Sequence, residues 1–215
     1  MAHGASSQTG LTKPASAGRL PRTLELSSLT TTIGVRMKTI ASLVVIASIS
    51  LISGCSTYSA ARYSSNADNV VALRALNGKV VNIGAFSATK LGEREIMCRG
   101  VGPIKTPDGE PFSDFVRKAM VDELKLAGAF SATAPVTLTG NLDAIDFSSA
   151  SGSWNLALTV KSSNGKSMTA SEQYAFTSSF YGETACNQTA QALMPAVQNL
   201  VGKIVRSSEF TSLLN

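Results

Sequence analysis

The sequence predicts an α+β fold: a two-layer sandwich, mostly antiparallel sheet with two amphipathic helices on one face. Three observations predict it. Two stretches, Phe112–Ala127 and a longer one from about Glu183, carry apolar residues at i, i+3, i+4 spacing. Between them, three segments alternate apolar and polar residues with period two. The outward rows of those segments are Thr, Asn, Gln, Ser, Ala and a few charges, so the sheet has one dry face and one wet face.

The elements follow in chain order. From Ser56 to about Asp68 the residues are Ser, Thr, Ala, Asn, Arg and Tyr, with little to bury, which reads as a flexible tether. Asp68 stands before Val70, Leu73 and Leu76 at helical spacing, and Asn77-Gly78 stops that short helix. Val80, Val81, Ile83 and Phe86 mark a first strand. Ile96, Cys98 and Val101 lie in a second extended segment, which ends at the turn Pro107-Asp108-Gly109-Glu110-Pro111. Pro111 suits the first turn of a helix; Phe112, Phe115, Val116, Ala119, Met120, Leu124 and Ala127 form its apolar face, and Gly128 stops it.

After Pro135 the period becomes two. Val136, Leu138, Gly140 and Leu142 share one face; the parity then flips to Ile145 and Phe147, which predicts a β-bulge near Asp143–Ala144. Trp154, Leu156, Leu158 and Val160 form the next row, and Asn164-Gly165 signals a hairpin. Met168, Ala170, Tyr174, Phe176 and Phe180 form the inward row of a last long strand. The second main helix carries Cys186, Ala190, Leu193, Met194, Val197, Leu200, Val201 and Ile204, with Pro195 as a possible kink. Phe210, Leu213 and Leu214 return the C-terminus to the core.

Ahead of this domain stands an export signal. Arg36 and Lys38 precede Thr39–Ile52, a stretch without charge that is too short to span a bilayer and fits the apolar core of a secretory signal. Ser53-Gly54-Cys55 closes it with small residues and a cysteine. Leu51-Ile52-Ser53-Gly54-Cys55 resembles the lipobox of bacterial lipoproteins. That resemblance implies cleavage before Cys55, acylation of Cys55 as the new N-terminus, and, with Ser56 rather than Asp next, transfer to the outer membrane facing the periplasm. Residues 1–36 then read as a non-native upstream extension or disordered leader, 37–54 as the signal peptide, 55–68 as the lipidated tether, and 69–215 as a single α+β periplasmic domain.

Charge and chemistry follow from that division. The whole chain has 19 Lys+Arg against 14 Asp+Glu, but five cations and one anion precede Cys55, leaving 14 against 13. The basic balance therefore belongs to the leader and gives no support for nucleic acid as a partner. The one histidine, His3, is also in the leader. A mature chain without histidine lacks Ser-His-Asp and Cys-His catalysis and the usual zinc ligands. No catalytic residue, metal or cofactor is assigned. The carboxylates Glu93, Glu95, Asp143 and Asp146 form no convincing acid/base pair, since Asp143 and Asp146 point to opposite faces unless the bulge re-aims one. With Cys55 acylated, Cys98 and Cys186 remain, and two thiols in an oxidising compartment are expected to pair. The aromatics Trp154, Tyr174, Phe176 and Phe180 read as core packing or as the lining of a hydrophobic groove for a lipid or partner segment.

The element order over roughly Lys79–Arg206 resembles the small domains of several envelope lipoproteins: the lipopolysaccharide-assembly lipoprotein, auxiliary lipoproteins of ABC-type transporters, the curli-secretion lipoprotein and the amino-terminal domain of TolB. The resemblance implies a fold and no functional residue. The expected function is a non-enzymatic, membrane-anchored binding or scaffolding module with an envelope protein partner. The alternative is an accessory subunit of an envelope transport or secretion complex.

Overall fold

The computed structural model describes residues 56–215. The leader, the signal segment and Cys55 lie outside the described residues. Within them the fold is α+β, with two sheets and four helices. None of the described helices is long and apolar enough to cross a membrane.

The main sheet is made, in spatial order, of β2 (Asn82–Ala88), β5 (Thr137–Ser148), β6 (Ser153–Ser162) and β7 (Ser167–Ala175). β5, β6 and β7 form an antiparallel meander. Its inward row is Leu138, Leu142, Ile145, Trp154, Leu156, Leu158, Val160 and Met168, all buried. The register shifts between Leu142 and Ala144, so Asp143 is the extra residue of a bulge. That shift carries the apolar row from Leu142 to Ile145 and leaves both Asp143 and Asp146 on the wet face. Gly140 interrupts the inward row for a steric reason. The Phe86 ring of β2 lies over it, and a Cβ there would stand 2.7 Å from that ring.

β2 runs parallel to β5, with Asn82 opposite Thr137 and Ile83 opposite Leu138. The intervening hairpin and helix supply the long crossover that parallel neighbours require. That helix, α2 (Phe112–Ala127), ends at Gly128, whose φ of 75° is the left-handed stop expected there. α2 packs on β2, and α3 (Gly182–Val205) packs on β6 and β7. Both lie on the dry face, as their apolar stripes require. α3 continues through Pro195, which removes one main-chain donor without ending the helix. α4 (Ser208–Leu213) buries Phe210 and Leu213. The Asn164 amide of the β6–β7 turn donates to the carbonyls of Leu213 (3.0 Å) and Asn215 (2.7 Å) and holds that end in place.

Three expectations are corrected here. First, 91–105 is not one extended segment but a hairpin, β3 (Glu95–Cys98) and β4 (Gly102–Lys105). Arg99 (φ 50°) and Gly100 (φ 69°) supply the two positive φ angles of its turn. Second, α1 (Ala67–Arg74) is capped by Asn66 rather than Asp68; the Asn66 side chain accepts from the Asp68 N–H at 2.9 Å. Third, β7 ends at Ala175, so Phe176 and Phe180 lie beyond the strand. The inward position between Ala170 and Tyr174 is Glu172, which is buried and held by Lys203 (2.7 Å) and Asn199 (3.1 Å) of α3.

Candidate functional site: the docked strap and the hairpin tip

Residues 56–66 form no tether. They lie as a strap along the domain, because their few apolar and aromatic groups each find a place on it. β1 (Tyr58–Ser59) pairs in parallel with β4 and completes a second sheet of order β1-β4-β3. The Ala60 N–H donates to the Lys105 carbonyl at 2.9 Å, and Ala60 itself is buried. Gln191 of α3 donates to the Ser59 carbonyl. Arg62 forms a two-pronged pair with Asp108 at 2.8 and 2.6 Å, out in solvent. Such an exposed pair adds little net stability but fixes geometry.

The strap ends on a buried hub. Glu123, on α2, is fully buried. Its Oε1 accepts from the Tyr63 hydroxyl (2.6 Å), the Asn66 N–H (2.8 Å) and the Asn69 amide (3.2 Å). The Tyr63 ring meets Phe115 edge to face at 6.5 Å. Burial, and then the hydrogen bond to Glu123, push the Tyr63 hydroxyl above the usual tyrosine range, so it stays a neutral donor. One side chain thus ties the strap, α1 and α2 together. Glu123→Ala is expected to leave buried donors without partners and to cost about 3 kcal/mol. Urea titration reads that cost. Limited proteolysis between Ser59 and Asn66 should show the strap opening before the rest of the domain.

The other end of the strap meets the hairpin tip. A Cβ at Gly102 would stand 2.0 Å from the Ser56 carbonyl oxygen, so glycine is what lets the strap lie so close. The Cys98–Cys186 disulfide joins the last residue of β3 to the first turns of α3. Arg99 then reaches across to the β5–β6 corner and the loop after β7. Its guanidinium donates to the carbonyls of Ser149 (2.6 Å) and Phe180 (3.0 Å), and to the Ser149 hydroxyl (2.9 Å). The Ser179 N–H donates to Gln188 Oε1 at 2.7 Å, and the Phe176 N–H to the Gly152 carbonyl at 2.8 Å. The loop is therefore pinned. Yet Phe180 is 93% exposed and Tyr181 76%, with their rings edge to face at 6.2 Å.

No family model matches the chain, and no curated protein matches it. Among solved structures, it is similar to protein XCC0632 from Xanthomonas campestris, of family DUF330, at 14% identity. That alignment covers 70% of this chain and 95% of the other, with a TM-score of 0.45. It is also similar to a putative lipoprotein from Caulobacter crescentus at 13% identity, covering 69% of this chain and 96% of the other, with a TM-score of 0.35.

The structure brings Cys98 and Cys186 together as a disulfide. It does not bring the four aromatics into one groove. Trp154 is fully buried, its indole N–H donating to the Thr189 carbonyl at 2.8 Å and its ring 4.8 Å from that of Phe147. Tyr174 and Phe176 are partly buried against the core, and Phe180 is exposed to solvent. The helices α2 and α3 already occupy the dry face where a groove would open.

The carboxylates do not converge. Glu95 pairs with Lys105 at 2.9 Å, Glu93 approaches Lys90, and Asp143 accepts from Thr159 and Asn141. A small cleft of about 190 Å³ beside the strap is lined by Arg62, Tyr63, Asp108, Glu110, Phe115 and Lys118. Four of its charges pair, Lys118 reaching Glu110 at 3.0 Å and Arg62 holding the Asp108 carboxyl below its usual range, while Asp122 of the same lining has no ion-pair partner among the described residues. Among the described residues no group of His, Cys, Asp and Glu is placed to hold a metal ion. Sequence reasoning missed Tyr63, Glu123 and Arg99. The signal for Arg99 was Arg99-Gly100 between two alternating runs; an isolated Glu on the apolar side of a helix was the signal for Glu123.

Proposed function

We propose that the chain is a lipid-anchored envelope protein, acylated at Cys55, and that it works as a non-enzymatic binding or scaffolding module held close against the membrane. The supporting observation is how near to Cys55 the chain is already held against the domain. Ser56, one peptide bond after Cys55, already lies against Gly102, and pairing with β4 begins at Tyr58. A chain cleaved before Cys55 would therefore carry its acyl chains next to a residue that is packed on the domain. Two or three acyl chains, each adding about 0.8 kcal/mol per buried CH₂, make a firm anchor. The absence of histidine after residue 3, and the dispersal of the carboxylates Glu93, Glu95 and Asp143 among separate partners, favour binding over catalysis.

The test is the mature N-terminus. Expressed as the full chain in a bacterium with an outer membrane, the protein should begin at an acylated Cys55 by mass spectrometry and sediment with the outer membrane. Cys55→Ser should abolish processing and acylation together. An unmodified Cys55 inside an intact, longer chain would overturn the proposal. Crosslinking in intact cells then reads the partner; one stoichiometric transport or secretion component would identify the chain as an accessory subunit.

A further inference from the structure

We propose that the Phe180–Tyr181 tip is a membrane-contact element that enters the interface of the bilayer carrying the acylated Cys55. This rests on the lipoprotein proposal and adds an orientation to it. The first support is position. Ser56 touches Gly102, the next residue back is Val101, and a Cβ on Gly182 would stand 3.0 Å from the Val101 side chain. Gly182 directly follows Tyr181. Ser56, the hairpin turn and the aromatic pair are therefore consecutive neighbours on one end of the domain.

The second support is reach. A peptide bond spaces Cα atoms by about 3.8 Å, so acyl chains on Cys55 act within a few ångströms of residue 56. A long tether would leave the domain free to turn; a docked strap does not. The end of the domain that holds Ser56 must face the lipid.

The third support is the chemistry of the exposed groups. Loops seldom present two large aromatics to water from a rigid frame, and Tyr in particular favours the membrane interface, where its ring is apolar and its hydroxyl wet. The frame here is rigid: the disulfide lies beneath, and Arg99 and Gln188 hold the loop backbone. Arg99, which donates to the Phe180 carbonyl, and Glu183, two residues after Tyr181, carry opposite charges. The contact is consequently apolar and interfacial, not an attraction to anionic headgroups.

The experiment uses the full, acylated chain reconstituted in phosphatidylcholine vesicles whose acyl chains carry bromine near the headgroup. Phe180→Trp places a reporter at the tip. Leu126→Trp places a control at the opposite end: Leu126 is 57% exposed in the last turn of α2, and just after that helix Phe130 bridges to Val81, next to the Asn82–Thr137 pair that starts β2 and β5. β5 separates the two ends by roughly 35 Å at about 3.3 Å per residue. The native Trp154 is buried and serves as a constant background. Brominated lipid should remove roughly half or more of the emission added at 180, at a depth of about 5–10 Å, and leave that added at 126 unchanged. High salt should not reverse the loss. Equal quenching at both sites, or none at either in a protein whose N-terminus is shown to be acylated, overturns the tip proposal and leaves the anchor standing. A chain that carries no lipid in the mass spectrum overturns both.

Discussion

Removing the disulfide by Cys98→Ala and Cys186→Ala together should lower the stability of the domain by about 4.5 kcal/mol. The bridge closes a loop of 88 residues that contains β4, α2 and the entire meander. Without it the unfolded chain regains the freedom of that loop, which is the source of the effect in the chain-entropy account. Both cysteines are fully buried, so alanine is the appropriate replacement; serine would add the separate cost of an unpaired hydroxyl. Urea unfolding of the oxidised protein and the double variant measures it. The midpoint should fall, and the slope should rise because the uncrosslinked unfolded state exposes more surface. A loss below about 1 kcal/mol would show that the bridge does not constrain the unfolded chain. The variant has a second use, since Cys98 and Cys186 join the two segments that present Phe180 and Tyr181. Its tip should exchange amide hydrogens faster even where the rest of the domain stays folded.

The parts of the fold that rest on long periodic runs were legible in the sequence. α2 has a full apolar stripe and a glycine stop, and the meander has strict alternation, so both were placed without tertiary information. The bulge at Asp143 was legible because a single extra residue flips the parity of every apolar residue after it. The strap was not legible. Its pairing spans only Tyr58–Ser59, and its remaining attachment comes from scattered single contacts with distant elements: Ala60 on Lys105, Gln191 on Ser59, Arg62 on Asp108, and Tyr63 and Asn66 on Glu123. Composition sees such a segment as polar and short of anything to bury. Only the position of Glu123 reveals that its polar groups are needed. The parallel edge was hidden for a similar reason, because strand direction depends on the crossover and not on the strand's own residues. The tip was misread by parity: Phe176 and Phe180 continue the even-numbered row of β7, but the ladder stops at Ala175. The β5–β6 corner takes over there, as the Phe176 N–H turns to the Gly152 carbonyl.

Trp154→Ala should destabilise the domain by about 4 kcal/mol, and the size of that loss decides between two uses of the same aromatic residue. A tryptophan lining an open groove loses little on truncation, because solvent or a ligand already reaches one side of it. Trp154 has no such side. It is fully buried on the central strand β6, between Phe147 of β5 and Tyr174 of β7, under α3. Its removal leaves a cavity the size of an indole and takes a hydrogen bond from the Thr189 carbonyl. Trp154→Phe refines the measurement, since it keeps most of the volume and removes the donor. It should cost about 1–2 kcal/mol, the remainder of the alanine effect being cavity. A loss under about 1 kcal/mol for Trp154→Ala, accompanied by binding of an apolar dye at the vacated position, would restore the groove. The expected large loss leaves, of the four expected groove aromatics, Phe180 exposed, beside its neighbour Tyr181, to meet a surface outside the domain.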